Sequence, residues 1–220
     1  MSLLTSNVGR KVLMAVSGLF LVLFAVAHLV GNSTIWFGPG GINAYAEHLH
    51  ALPFLVWPFR AFMLLMLCVH IFFGITLTLE NWGANPGKYA VKKQQRITLA
   101  SKTMIWTGLS LLVFIVLHLL HFTIKALPGV VQVLDSHGRP DVYTMMVAGM
   151  YSKLPAILYV LAMAVLFLHT SHGIQSIFQT IGLNNDRTLP RFTLSAKLLA
   201  GVFLVGFGAI PVFIAAHFLN

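Results

Sequence analysis

Negative charge is scarce in this sequence. Only 5 of its 220 residues are Asp or Glu, against 14 Lys and Arg, and charged residues make up 9% of the chain. Soluble domains carry charge on roughly a quarter of their residues. Hydrophobic residues account for 58%, and the mean hydropathy is +0.86. This balance excludes an ordinary soluble domain and indicates an integral membrane protein formed by one domain over residues 1–220.

Cysteine is nearly absent as well. The single Cys68 lies within an apolar run, so the chain has no disulfide framework, no CxxC pair and no iron–sulfur motif. The net charge of +9 would suit nucleic acid, but the basic residues fall between apolar runs. Membrane topology explains their positions better, and no nucleic-acid partner is expected.

Five apolar runs are long enough to cross a bilayer as helices. We expect an all-α bundle of five transmembrane helices, at residues 12–30, 55–79, 103–124, 155–181 and 194–218. The first run resembles a signal peptide but is long and lacks a small-residue cleavage site, so we expect a retained helix. Pro53 and Pro58 are predicted to mark the start of the second helix.

Two of the segments that connect the predicted helices have distinctive compositions. Residues 31–51 are rich in glycine and read as a loop whose polar side chains line an interfacial pocket. Residues 125–153 are polar and are predicted to be partly structured.

Lysine and arginine predict the orientation. Ten lie at the amino terminus and in the second and fourth connections: Arg10, Lys11, Lys88, Lys92, Lys93, Arg96, Lys102, Arg187, Arg191 and Lys197. The other side has four: Arg60, Lys125, Arg139 and Lys153. The positive-inside rule therefore places the amino terminus in the cytoplasm.

Four predicted helices each contain a histidine, an uncommon residue inside a membrane. At about 1.5 Å per residue, His28 and His118 lie roughly 26 and 24 Å from their cytoplasmic helix ends. His70 and His169 lie lower, at roughly 15 and 20 Å by the same rise. The histidines are therefore predicted to form two pairs at two depths.

Two imidazoles from different helices at one height are what a bis-histidine haem requires. A lone membrane histidine is often only hydrogen-bonded across helices, but four at matched depths favour a ligand role. A zinc or proton-transport site would bring carboxylates into the helices, and Glu80 is the only acidic residue even at a helix edge. The pattern therefore favours haem.

Spacing alone leaves the choice of ligands open. His121 follows His118 by three residues, and His172 follows His169 by three, so each couple shares a helix face. The depth estimate slightly favours His172 over His169 as the partner of His70.

Short fragments in a fixed order carry a resemblance to a known family. They are Ser17-Gly18-Leu19-Phe20, Ala27-His28-Leu29-Val30, Asn32, Ile42-Asn43, Leu52-Pro53-Phe54, His70 with Gly74, Gly108 with His118, and Tyr159 with His169 and Gly173. On these residues nearly the whole chain resembles the cytochrome b membrane subunit of succinate dehydrogenases and fumarate reductases. The form it resembles is the five-helix, single-subunit, two-haem type that uses menaquinone.

The resemblance implies a set of haem ligands and neighbours. His28 and His118 would bind the iron of an outer haem b, and His70 and His169 that of an inner one. For the fourth helix, the spacing of the family takes precedence over the depth estimate. Ser17, His121 and His172 would lie near the haems; the alternative for the two histidines is a packed polar side chain without that role. Ser17 and four basic residues are candidates for neutralising propionates: Arg10, Lys11, Lys88 and Lys92. Membrane topology is the simpler explanation of the lysines.

The resemblance also implies partners and a location. The chain would anchor an iron–sulfur subunit and a flavoprotein subunit at the cytoplasmic face of a prokaryotic inner membrane. It would carry electrons between them and menaquinone, and a dimer of such complexes is possible. The chain itself has no arginine cluster for a dicarboxylate, and the physiological direction stays open.

Glu47, with His48 and His50 nearby, is the candidate for proton transfer at the quinone. The alternative is that all three are exposed loop residues without that role. Some relatives carry a glutamate two residues before the histidine of the fourth helix, where this chain has Phe167.

Two other functions are open at the level of sequence. One is a two-haem cytochrome b that serves a hydrogenase or a formate dehydrogenase. The other is a haem-free transporter or structural membrane protein, for which the purified chain would be colourless.

Overall fold

A computed structural model describes residue 4 and residues 6–83 and 99–219 of the chain. Within them the chain is almost entirely helical, because a segment in hydrocarbon must pair every backbone N–H and C=O internally. The helices are α1 (Asn7–Ser33), α2 (Gly38–His50), α3 (Pro53–Gly83), α4 (Leu99–Lys102), α5 (Met104–His118), α6 (Val142–Met150), α7 (Lys153–Thr180) and α8 (Leu189–Ala215). A 3₁₀ turn, Thr34–Phe37, joins α1 to α2, and a π-helical turn, Leu119–Thr123, extends α5.

The predicted class is confirmed by five helical segments that are long and apolar enough to span a membrane in the described part of the chain. They are Asn7–His50, Pro53–Gly83, Met104–Thr123, Lys153–Thr180 and Leu189–Ala215. Each spanning helix presents a large apolar side chain outward, namely Leu23, Leu64, Val113, Leu161 and Val205. Such a surface matches lipid and would be unfavourable in water.

Four of these helices form a ring. α1 packs against α3 and α7, and α5 also packs against both α3 and α7. α8 lies outside the ring, in long contact with α7 and in a shorter one with α1. Ala196 and Ala200 of α8 have no exposed surface, and such small residues let two membrane helices approach closely. The interior of the ring is therefore bordered by α1, α3, α5 and α7.

The predicted loop at residues 31–51 is wrong, because this segment is helical. α1 continues to Ser33, and the chain turns once at Gly38, whose φ of +74° suits glycine. Pro39 then begins α2, and a Cβ at Gly41 would lie 2.6 Å from the Thr34 carbonyl oxygen. The glycines thus serve one tight turn between two helices.

Pro53 begins α3 as predicted, but Pro58 lies inside the helix. Its missing N–H falls in the second turn, so the lost hydrogen bond is near the helix end and away from the middle of the span.

A polar network joins α2 to residues 134–143. The Asn43 side chain is completely buried; its Nδ2 donates to Asp141 Oδ1 at 3.0 Å, and its Oδ1 accepts from the Tyr143 N–H at 2.9 Å. Arg139 binds Asp135 at 2.8 Å. Although burial raises the pKa of Asp135, hydrogen bonds from Arg139 and from the His137 N–H hold it well below its usual value. Residues 125–153 are thus partly structured, as predicted.

Lys88, Lys92, Lys93 and Arg96 lie outside the described residues. The orientation of the bundle in the membrane stays a prediction from the lysine and arginine count.

Candidate functional site

The interior of the helix ring contains two histidine pairs. The rings of His28 on α1 and His118 on α5 have centroids 5.9 Å apart and cross at 82°. The rings of His70 on α3 and His169 on α7 have centroids 6.2 Å apart and cross at 73°. The structure therefore brings together the same two pairs that the sequence predicted, each drawn from two different helices.

Contacts with glycine place the two pairs at different levels. His70 lies beside Gly18 of α1, and His169 lies beside Gly108 of α5. His28 follows Gly18 by ten residues, and His118 follows Gly108 by ten. At a rise of about 1.5 Å per residue, both helices separate the two levels by roughly 15 Å.

In His70 and His169, the inner pair, Nδ1 lies within hydrogen-bond distance of an oxygen atom. His70 Nδ1 lies 3.2 Å from the Met14 carbonyl, which can only accept, so this nitrogen carries the proton. His169 Nδ1 lies 3.1 Å from Thr107 Oγ1. The hydroxyl of Thr107 donates to its own helix, at 3.0 Å from the Met104 carbonyl, so it accepts from His169. Both imidazoles thus keep Nε2 unprotonated and available to a metal.

Two glycines lie closely against these rings. A Cβ at Gly18 would lie 3.1 Å from His70 Cε1, and a Cβ at Gly108 would lie 3.3 Å from His169 Cε1. These contacts are tighter than most Cβ atoms make, so a larger side chain would displace the imidazole.

The outer histidines have different partners. His118 Nδ1 lies 3.2 Å from Tyr159 Oη on α7. Asn32 Nδ2 lies 3.2 Å from His28 Nε2, and the Phe24 ring stacks on His28 with centroids 5.4 Å apart. His118 is therefore oriented by a hydrogen bond from another helix, whereas His28 is held by residues of its own helix.

The three other residues predicted near the haems are placed differently from one another. Ser17 is buried beside Gly18, and its hydroxyl donates to the Leu13 carbonyl at 2.8 Å. His121 is buried, with Nδ1 3.1 Å from Tyr159 Oη. His172 is half-buried and makes neither a hydrogen bond nor a ring contact within the described part of the chain. The ring opposite His70 is that of His169.

Of the four basic residues predicted to neutralise propionates, two are described by the structure. Arg10 contacts Glu80 and Asn7, and Lys11 is exposed. Lys88 and Lys92 lie outside the described residues.

The proton-transfer candidates lie on α2. The Glu47 side chain is about half exposed and lies 3.6 Å from Arg139 Nη1. Glu47 and His48 line one open cleft, whereas His50 lines a separate cavity with Arg60. The structure thus places Glu47 with His48 and separates His50 from them.

The pair geometry fits iron ligation. Two imidazoles that bind one metal through a nitrogen each, at about 2 Å, have ring centres about 6 Å apart. The observed 5.9 and 6.2 Å agree with that arrangement. Among residues 6–83 and 99–219, no group of three or more His, Cys, Asp or Glu side chains is placed to hold a metal ion. Each level thus offers two imidazole donors from different helices, the donor set by which a bis-histidine haem would be held.

A comparison with known families assigns the chain to one of them. The family described as the succinate dehydrogenase/fumarate reductase transmembrane subunit matches residues 87–210, more than half of the chain. The chain belongs to this family. Comparisons with curated proteins and with solved structures found no match.

Family membership makes this transmembrane subunit a multi-pass membrane protein that anchors the catalytic subunits of its complex. The matched residues include His118 and His169, whereas His28 and His70 precede the match. The positions of His28 and His70 opposite their partners therefore rest on the structure.

Sequence reasoning missed the residues that bind Nδ1 of three histidines: Met14, Thr107 and Tyr159. One signal was present. A hydroxyl residue followed by glycine occurs ten residues before the histidine in both α1 and α5, as Ser17-Gly18 and Thr107-Gly108. This parallel marks the place where each helix meets an inner histidine of the neighbouring helix.

Proposed function

We propose that this subunit is a two-haem cytochrome b whose single domain fills residues 1–220. His28 and His118 bind the iron of the outer haem b, and His70 and His169 bind that of the inner one. When bound, the two groups supply one-electron redox centres at two depths of the membrane. The observation that carries the proposal is the pair of ring separations, 5.9 and 6.2 Å, at levels roughly 15 Å apart.

The chain contributes ligand orientation and electronic tuning. Hydrogen bonds at Nδ1 of His70, His118 and His169 fix each ring and raise the basicity of Nε2. Because Gly18 and Gly108 have no side chain, they leave space for the imidazole rings of His70 and His169. Ser17, His121 and His172 are proposed to border the bound groups.

The subunit is proposed to anchor a flavoprotein and an iron–sulfur subunit at the cytoplasmic face of a prokaryotic inner membrane. It carries electrons between them and menaquinone, and two such complexes associate as a dimer. The excess of Lys and Arg on the amino-terminal side supports this orientation. Membership of the succinate dehydrogenase/fumarate reductase family favours these partners over a hydrogenase or a formate dehydrogenase.

A reduced-minus-oxidised optical spectrum of the purified complex tests the proposal. We expect b-type absorption with two haems for each copy of this chain, because each histidine pair would hold one haem. Haem is quantified by extraction and the chain by amino-acid analysis. A colourless subunit would contradict the proposal, as would a single haem.

Glu47→Gln is expected to lower quinone turnover and to leave both haems in place. The substitution keeps the shape of the side chain and removes the group that exchanges a proton, on the α2 helix outside the ring. The measurement is quinone-linked turnover of the assembled complex together with haem content. Unchanged turnover would remove Glu47 from the mechanism.

Arg139→Gln is the matched control for Glu47→Gln. It breaks the same ion pair, of 3.6 Å, and in addition the 2.8 Å pair of Arg139 with Asp135, but keeps the Glu47 carboxylate. Turnover should be retained in this variant. An equal loss in both variants would assign the effect to the ion pair and the packing of α2 rather than to proton transfer.

A further inference from the structure

A single tyrosine hydroxyl connects two histidines near the end of α5. Tyr159 Oη lies 3.2 Å from His118 Nδ1 and 3.1 Å from His121 Nδ1. Tyr159 comes from α7, the helix that also contains the inner ligand candidate His169. The hydroxyl thus links the outer site to a buried histidine for which the proposed ligand scheme has no defined role.

Proton counting constrains both hydrogen bonds. The Tyr159 hydroxyl has one proton, so it can donate to only one of the two nitrogens. A histidine that binds iron through Nε2 carries its proton on Nδ1. His118 Nδ1 therefore donates to Tyr159 Oη, and the hydroxyl proton is directed to His121 Nδ1.

Packing holds the phenol in place. The Tyr159 ring meets Phe114 edge to face, with centroids 5.1 Å apart, and contacts Phe122 at 5.8 Å. α6 closes over the other side of His121: a Cβ at Gly149 would lie 3.1 Å from His121 Nε2. The acceptor for His118 thus has one position and one orientation.

We propose that Tyr159 is a positioning residue for the outer haem, and that His121 orients the Tyr159 hydroxyl. The phenol oxygen accepts the His118 Nδ1 proton, fixes the ring plane and raises the basicity of the ligating nitrogen. The inference rests on the proposed two-haem function. It assigns the tuning of the outer centre to one side chain outside the ligand set.

Tyr159→Phe removes one oxygen and keeps the ring. Without its hydrogen-bond acceptor, His118 would become a weaker electron donor to iron. The reduced haem would then become more stable relative to the oxidised haem. We expect both haems to be retained and the reduction equilibrium constant of the outer haem to rise about tenfold, an increase of about 59 mV in midpoint potential. The inner haem, held by His70 and His169, should keep its potential and serve as the internal reference.

Potentiometric titration of the purified complex measures both midpoints, and the low-spin ferric EPR signal reports the orientation of His118. Phe114→Leu is the control for packing, because Phe114 contacts both the phenol and the His118 ring, at 5.1 and 5.9 Å between centroids, without a hydrogen bond. An unchanged outer potential in Tyr159→Phe would overturn the inference, as would an equal shift in Phe114→Leu or in both haems.

His121→Leu gives a second test that does not depend on assembly of the Tyr159 variant. It removes the acceptor of the Tyr159 proton, so we expect a smaller shift of the outer potential in the same direction. No shift would overturn the role of His121. Wild-type complex with two haems and unchanged variants would reject only this inference, whereas wild-type complex without haem would reject the proposed function as well.

Discussion

Replacing His118 with alanine is expected to remove the outer haem and to leave the inner one, so that haem content falls from two to one per chain. In the proposed scheme the outer haem would be held by His28 and His118, whose rings are 5.9 Å apart. Removing one imidazole leaves the iron with one protein ligand. The inner pair, roughly 15 Å away along α1 and α5, has its own hydrogen-bond partners and is not touched.

The other three ligand variants complete the assignment. His28→Ala should remove the same spectral component as His118→Ala, whereas His70→Ala and His169→Ala should both remove the other component. Haem per chain and the potentiometric profile of the assembled complex separate these outcomes.

His172→Ala is the matched control for His169→Ala, since it lies three residues away on the same helix and does not face His70. His121→Ala has the same relation to His118, and both controls should retain two haems. Loss of a haem in His172→Ala with retention in His169→Ala would contradict the ligand scheme. Joint loss of both haems in every variant would contradict two independent sites.

Gly18→Leu is expected to remove the inner haem without changing any ligand. A Cβ at Gly18 would already lie 3.1 Å from His70 Cε1, and the branched remainder of leucine would crowd the ring further. The imidazole of His70 must turn away, and its bond to the Met14 carbonyl is lost with it. Haem content should fall from two to one, with the spectrum of His70→Ala.

Graded and control substitutions make this test specific. Gly18→Ala adds only the Cβ, so we expect both haems to be retained and the midpoint potential of the inner haem to change. Gly108→Leu should also remove the inner haem, by displacing the other histidine of the pair. A Cβ at Gly108 would lie 3.3 Å from His169 Cε1. Gly201→Leu, on α8 with no atom within 4 Å of its Cβ, should retain both haems. Two haems in Gly18→Leu would show that the glycine does not define the position of His70.

The class of the protein followed from composition. A chain with so few charges cannot remain in water, and hydrocarbon admits a helix because every backbone bond closes within the segment. The number of spanning helices followed as well, since apolar runs of 19 or more residues are long enough to cross. The two levels of histidine were also predictable, because a helix rises by a constant amount per residue and so converts sequence position into depth. The choice of His169 over His172 came from the family resemblance, since the depth estimate slightly favoured His172.

The segment 31–51 shows where local signals were misleading. Four small or helix-breaking residues, Gly38-Pro39-Gly40-Gly41, suggested a loop, but only one turn uses them. The polar residue Asn43 then faces Asp141 and the Tyr143 N–H across a hundred residues of sequence. A partner so distant in sequence satisfies the buried amide, and no local pattern could reveal it.

By itself, the sequence determined that this protein is a five-helix membrane bundle with histidines at two levels. Two principles are sufficient for this: a segment in hydrocarbon must pair its backbone groups internally, and a helix rises by a constant amount per residue. Only the tertiary structure decided that His169, and not His172, faces His70, because three residues of helix change rotation as well as height. Only the tertiary structure placed Tyr159 between His118 and His121, since that contact depends on how α7 rotates against α5.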